Sequence, residues 1–292
     1  MVNRFRRSLE PLTRSPVTGV ALFGLFLLAV IALSTRSLLA FFSIEGLAIV
    51  VGGVIAVAYL SFEAEDVRAA LNAIAAMFRE RRRPSSDNLH RDMAEIIAWA
   101  SMAKEMGMRR LEWSLAKHGI ADPFVKYGLN MVVTGYSPED VRAMMETAAD
   151  ACHDRDSVPV DVLQSMTSHG PAFGMIGTLV GMVAMLCSLG DDASGIGSSL
   201  SVSFLSTLYG VVSARMVYMP AAARLRQAVA KRRFRNQLII EGMVMLVRGE
   251  TPHYVKDRLN SFLRPERHDY LDQFKLAPQP ALEAPRLRVV GA

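Results

Sequence analysis

Four stretches of the chain are almost unbrokenly apolar, and the segments between them mix charged and apolar residues at helical spacing. The stretches lie at about 18–40, from Gly46 through GLAIVVGGVIAVAYLSF, from Pro171 to Leu189, and from Ser201 to Pro220. Each has roughly twenty residues, enough at about 1.5 Å of rise per residue to cross a hydrocarbon layer about 30 Å thick. Backbone polar groups find no water there, so each stretch is predicted to be a helix. One such stretch alone could be the core helix of a soluble protein; four in one chain argue against that. The first follows a basic segment, as the apolar core of a cleaved leader does. It is too long for such a core, and a second apolar helix follows at once, so it reads as a retained helix.

The polar segments are predicted to be helical too. EAEDVRAALNAIAAMFRERRR has an acidic start and a basic end, which suits the helix dipole, and Pro84, Ser85 and Ser86 break it. RDMAEIIAWASMAKEMGMRRLEWSLA reads as one amphipathic helix, and DPFVKYGLNMVVTG as another ended by Gly135. The next opens with Ser137 at the N-cap, Pro138 at N1 and Asp140 at N3, a variant of the capping box. A long helix over AARLRQAVAKRRFRNQLIIEGMVMLVRGE and a short one over TPHYVKDRLNSFL complete the pattern. The predicted fold is all-α: a polytopic membrane protein with four transmembrane helices and a helical cytoplasmic domain. Its segments are a cytoplasmic tail (1–17), helices one and two (18–62), a cytoplasmic helical domain (63–169), helices three and four (170–222), C-terminal cytoplasmic helices (223–264) and a Pro-rich tail expected to be disordered (265–292).

Charge orients these helices. The chain has 292 residues and a net charge of +5. Its mean hydropathy of +0.23, beside 21% charged residues, fits apolar and charged blocks kept apart. Arg4, Arg6, Arg7 and Arg14 precede helix one, and the run Arg79, Arg81, Arg82 and Arg83 follows helix two. Arg224, Arg226, Lys231, Arg232, Arg233 and Arg235 follow helix four. The link between helices one and two has only Arg36, and that between three and four has Asp191 and Asp192. The positive-inside rule therefore places both termini and the middle segment on the cytoplasmic side of the membrane. The basic excess is a topology signal, and nucleic-acid binding has little left to explain.

The chemistry is marked by what is missing. No Asp or Glu lies within the apolar cores, although moving a cation through a membrane usually needs an ionisable group at depth. A conducting role would require a partner to supply that carboxylate. Two cysteines make no disulfide framework, no metal-ligand spacing occurs, and there is no phosphate-binding GxxxxGK[ST] loop. No enzyme activity and no cofactor are expected. Thr178 and the pair Ser206 and Thr207 have two readings: hydroxyls that join helices, or hydroxyls that offer oxygens to a partly dehydrated ion. Gly174, Gly177, Gly181 and Gly210 form small-residue patterns that predict close helix packing, read here as contact between subunits. Arg215 lies about one and a half turns before Pro220 and is read as snorkelling to the cytoplasmic side.

Five blocks, SIEGLAIVVGGVIAV, TGYSPEDVRAMMETAADA, HGPAFGMIGTLVGMVAML, SFLSTLYGVVSARMVYMPAAARL and IIEGMVMLVRGETPHYVKDRLNSFL, occur here in that order. In order and spacing they resemble the A subunits of bacterial flagellar stators, the MotA and PomA family, over residues 40–265. The resemblance implies a homo-oligomer, five copies around two MotB- or PomB-type B subunits. Each B subunit brings one membrane helix with an essential aspartate, which supplies the missing carboxylate. It also implies that Pro171 and Pro220 couple ion flow to movement, beside the structural reading that proline bends or ends a helix. Lys104 and Glu112, in MAKEMGMRRLE, match the basic and acidic residues that face the rotor protein FliG, near one helical face. Lys replaces the commoner Arg there, keeping the charge but losing bidentate geometry. A solvated charged face is the competing reading of both residues. Thr178 and Thr207 match threonines of sodium-type subunits, while Ser206 replaces an expected threonine, so proton and sodium both stay open. The alternative function is an ExbB- or TolQ-type energiser of outer-membrane transport or envelope maintenance. Its three-helix plan fits poorly with two tightly linked first helices.

Overall fold

The computed structural model describes residues 41–79, 85–118, 122–188 and 193–263. The predicted first membrane helix at 18–40 and both predicted tails lie outside the described residues. Among the described residues every regular element is a helix, and three helices are long and apolar enough to cross a membrane. The chain divides into two compact units: residues 1–82 with 153–230, and 83–152 with 231–292.

The first unit holds the apolar helices. α1 (Ile44–Ser61) starts where Ser43, in extended backbone, accepts a bond from the Gly46 N–H. It passes through a five-residue π turn at Ala48–Gly52 and stops at Phe62, again extended. α2 (Ala64–Arg79) follows, with Glu65 and Asp66 in its first turn as the dipole favours. α6 (Pro138–Ser188) belongs to this unit from His153 onward. α7 (Ala193–Ser213) runs into a second π turn, Ala214–Tyr218, and then into α8 (Met219–Val247). Val54 and Ala58 of α1, Val67 and Ala70 of α2, Leu163 and Met166 of α6, and Ala221 and Ala222 of α8 make one buried cluster.

Of the two structural readings of Pro171 and Pro220, that they bend or end a helix, the ending does not occur at either one. Pro171, like Pro159, lies inside one continuous helix of 51 residues, not at a helix start. Pro220 is the second residue of α8, not a helix end. An interior proline loses one backbone bond and crowds the carbonyl four residues back. At Pro220 the preceding π turn widens the backbone where that crowding falls. α7 also begins at Ala193, eight residues before the predicted start at Ser201.

The second unit contains α3 (Ser85–Met106), α4 (Met108–His118), α5 (Pro123–Thr134), the first part of α6, the last part of α8, and α9 (Pro252–Asn260). Met93, Ile96, Leu129, Met145, Leu238, Ile239, Met243 and Leu259 fill its core. The stretch predicted as a single helix is two, α3 and α4. Gly107 separates them with φ of 81°, a left-handed conformation that glycine adopts without a Cβ clash. The Ser137 cap follows the sequence reading. Ser137 accepts from the Asp140 N–H at 3.1 Å and donates to the Asp140 carboxylate at 2.6 Å. Asp122 caps α5, accepting from Phe124 N at 2.8 Å.

Ion pairs lock this second unit. Arg235 on α8 donates to both Asp92 oxygens and to Asp122, tying α8 to α3 and to the cap of α5. Glu241 accepts from Arg142 at 2.6 Å and from Arg258 at 3.0 Å, joining α8 to α6 and α9. Burial pushes the Asp122 carboxyl up, but bonds from Arg235 and the Phe124 N–H outweigh it and hold the group below its ordinary range. Burial likewise raises Glu241, and its two arginines outweigh that.

Candidate functional site at the α6–α7 contact

The site begins with glycines that let two helices touch. Gly170, Gly174, Gly177 and Gly181 recur every three or four residues, so they share one face of α6. That face meets α7 of the same chain, and not a second subunit as the sequence pattern had been read. A Cβ on Gly170 would stand 2.9 Å from the Gly210 carbonyl oxygen, and one on Gly210 would stand 2.5 Å from the Gly170 carbonyl oxygen. A Cβ on Gly177 would lie 2.5 Å from Ser206 Cβ, and one on Gly181 would lie 2.2 Å from Ser203 Oγ. Side chains larger than hydrogen would force the helices apart along the whole row.

Close approach brings hydroxyls together. Thr178 Oγ1 lies 2.5 Å from Thr207 Oγ1. Thr178 donates toward the Gly174 carbonyl at 3.1 Å and the Ser203 carbonyl at 3.2 Å, and Thr207 toward the Gly174 carbonyl at 3.3 Å. Four oxygens from two helices thus converge on one spot, with Thr207 exposed and Thr178 half-buried. Neither α6 beyond Pro171 nor α7 carries an acidic or basic side chain. The cluster can accept a proton-bearing group or ligate a cation, but it has no charge of its own to offer.

Ser206 is placed differently. It is fully buried, and its hydroxyl donates to the Val202 carbonyl at 2.8 Å and the Ser203 carbonyl at 2.9 Å. It packs against Gly177 of α6 and Gly46 of α1, away from the exposed side of the threonine pair. Here the helix-joining reading describes its geometry.

Pro171 lies seven residues before Thr178, on the same side of α6. Pro220 follows Thr207 across the π turn. Arg215, within that turn, is exposed and donates to Met219 Sδ at 3.6 Å. Lys104 and Glu112 are both exposed in the other unit. They stand on separate helices either side of Gly107, so they do not share the single helical face expected of them.

Two residues escaped the sequence reading. Gly170 continues the glycine row by one step, and its spacing from Gly174 could have revealed it. Tyr209 has no such signal. Its hydroxyl donates to the Phe41 carbonyl at 2.7 Å and accepts from the Ser43 N–H at 2.9 Å, fastening the start of α1 to α7.

Residues 116–238 match the model of the MotA/TolQ/ExbB proton channel family. The chain is 33% identical over 177 residues to motility protein A of Borreliella burgdorferi, covering 61% of this chain and 67% of that one. It is 31% identical over 240 residues to motility protein A of Aquifex aeolicus, covering 82% and 92%. In fold it is similar to a chain of the flagellar MotAB stator complex from Bacillus subtilis, with a TM-score of 0.73 and 24% identity over 89% of this chain and 98% of that one.

Proposed function

The chain belongs to the motility protein A family, and on that premise we propose that it is the A-type subunit of a flagellar stator, turning ion flow across the inner membrane into torque. The observation that carries this reading is the reach of the likeness. It runs over 92% of the Aquifex aeolicus relative, through apolar and polar helices alike.

The site supplies a mechanism. A MotB-type partner brings a carboxylate into the membrane, since α6 and α7 have none. A proton or sodium ion entering from outside neutralises that carboxylate beside Thr178 and Thr207. A charge in an apolar surrounding is costly, and its neutralisation changes which packing of partner and helices is favoured. Pro171 and Pro220 sit in the same two helix runs, at points where a backbone bond is already missing, and there the helices bend most readily. Several copies surround the partner, both chain ends lie in the cytoplasm, and exposed Lys104 and Glu112 act on the charges of the rotor protein FliG.

The test is swimming of a strain lacking this gene, with and without sodium. Intact but paralysed filaments, restored by the gene, are the expected result, and sodium dependence of the rescue identifies the ion. Normal swimming with an envelope or uptake defect would overturn the stator reading in favour of an ExbB- or TolQ-type energiser.

A further inference from the structure

A cavity of about 500 Å³ opens on the first unit, between α6 and the junction of α7 with α8. Its wall is apolar at Pro171, Met219 and Ala222, and its edge is polar at Gln164, Arg215 and Arg226. It lies on the side of α6 that carries Thr178, because Pro171 precedes Thr178 by seven residues. On α7 an exposed row, Thr207, Val211 and Arg215, leads into it at four-residue steps. The hollow therefore continues the side that the proposed function gives to the partner helix, and its occupant is inferred on that reading.

No acidic residue lines the hollow. Arg215 and Arg226 are exposed, and among the described residues neither forms an ion pair. A partner seated on this side takes both guanidinium groups out of water, and covering a cation without a counter-charge is strongly unfavourable. Neither α7 nor α6 beyond Pro171 can supply that charge, since neither has an acidic side chain. Pro171 is also only about 10 Å along α6 from Thr178. An ion released inward from the threonine pair is repelled by two positive charges unless something neutralises them. A carboxylate answers both needs, and its two oxygens match the fork of a guanidinium. The apolar wall beside the charges suits an acidic side chain on a peptide better than a small inorganic anion.

We propose that the Arg215–Arg226 cavity binds a carboxylate of the B-type partner, carried just inside its membrane helix and separate from the carboxylate that meets the ion. Both guanidinium groups and the Gln164 amide donate to its oxygens, and the partner's neighbouring apolar residues lie against Pro171 and Ala222. The contact fixes how far along α6 the partner helix sits. It thereby sets the level at which the ion-binding carboxylate meets Thr178 and Thr207, so Arg215 and Arg226 are positioning residues.

The test uses the full chain assembled with its partner subunit in detergent. Arg215→Lys and Arg226→Lys keep the charge and supply an amine that a carbodiimide joins to a touching carboxylate. Mass spectrometry of the linked peptides identifies the acid. The expected link runs to an Asp or Glu of the partner just inside its membrane helix, and it is absent from Arg68→Lys, which alters an exposed residue outside the cavity. A link to Asp161 or another acid of this chain, in the same or a second copy, overturns the proposal. So does a link to the carboxylate within the partner's membrane helix, or no link from either lysine. The Arg215→Gln/Arg226→Gln double variant should also release its partner at least about tenfold more readily, as loss of hydrogen bonds to a charged group predicts. Unchanged retention in a folded double variant overturns the proposal, and should that variant fail to fold, the lysine links alone decide. A wild-type chain that holds no B-type partner would sink the stator reading itself, whereas failed links with the partner bound sink only this contact.

Discussion

Thr178 and Thr207 share an acceptor: both hydroxyls reach the Gly174 carbonyl while standing 2.5 Å from each other. One helix supplies the carbonyl and one hydroxyl, the other the second hydroxyl. The pair is a polar joint between α6 and α7 that is also open on one side. Replacing Thr207 by Val keeps the shape and removes the oxygen. We expect the Thr207→Val stator to assemble and lose at least about 0.5 kcal/mol of stability, in line with a membrane hydrogen bond. Torque should be abolished and Thr207→Ser should restore it, as measured by the rotation of tethered cells. Normal rotation of Thr207→Val would remove the pair from the ion path.

The glycine row predicts a steric failure. The nearest neighbour of a new methyl at position 210 is the Gly170 carbonyl, which belongs to a helix backbone and cannot swing aside. Gly210→Ala should cost about 1–3 kcal/mol, the range for overpacking, and Gly210→Val more. Melting of the detergent-extracted complex is the readout. Gly52→Ala is the control, because a Cβ there meets nothing within 4 Å.

The Arg235 clamp should be an Achilles heel of the second unit. Arg235→Met leaves Asp92 and Asp122 facing each other without their shared cation. All three side chains retain some solvent, so the expected loss is about 1–3 kcal/mol, below the range for a fully buried pair. Arg235→Met combined with Asp92→Asn should lose less than Arg235→Met alone. Urea unfolding followed by Trp99 and Trp113 fluorescence gives both values.

Acid should loosen the same unit. Asp122 and Glu241 have folded-state values below their ordinary 3.8 and 4.5. A lowered folded value means stability that is present above the ordinary range and is lost as pH falls through the folded value. The unit should therefore be equally stable at pH 6 and 7 and weaken progressively below about pH 4. Arg235→Met should flatten the Asp122 part of that profile. A stability curve that rises on acidification would contradict the assignment.

The Ser137 cap was legible in the sequence because it is settled within four residues, Ser137 with Asp140. Apolar helices were legible because water's absence leaves the backbone one solution. Gly107 was not, since a single glycine in an apolar period is tolerated in many helices, and only its φ shows the break. The continuity of α6 through Pro171 depends on packing that outweighs a local rule. The Tyr209 bond to Phe41 spans 168 residues and leaves no trace in either neighbourhood. At the site, polarity inside an apolar stretch picked out Thr178 and Thr207, but it assigned Ser206 the same environment because adjacent residues look alike on paper. On a helix they differ by about 100°, and that angle turns Ser206 inward.

The π turn at Ala214–Tyr218 keeps a phase. It holds one more residue than an α-helical turn would need. Deleting a single residue there would restore an ordinary α-helical turn and leave Thr207 and Pro220 close to their present phase, whereas deleting one from the α-helical stretch just before it would swing one about 100° relative to the other. The turn takes up one residue between Thr207 and Pro220 while the helices on either side stay in phase, so this stretch should tolerate the loss of a residue better than the α-helical turns beside it.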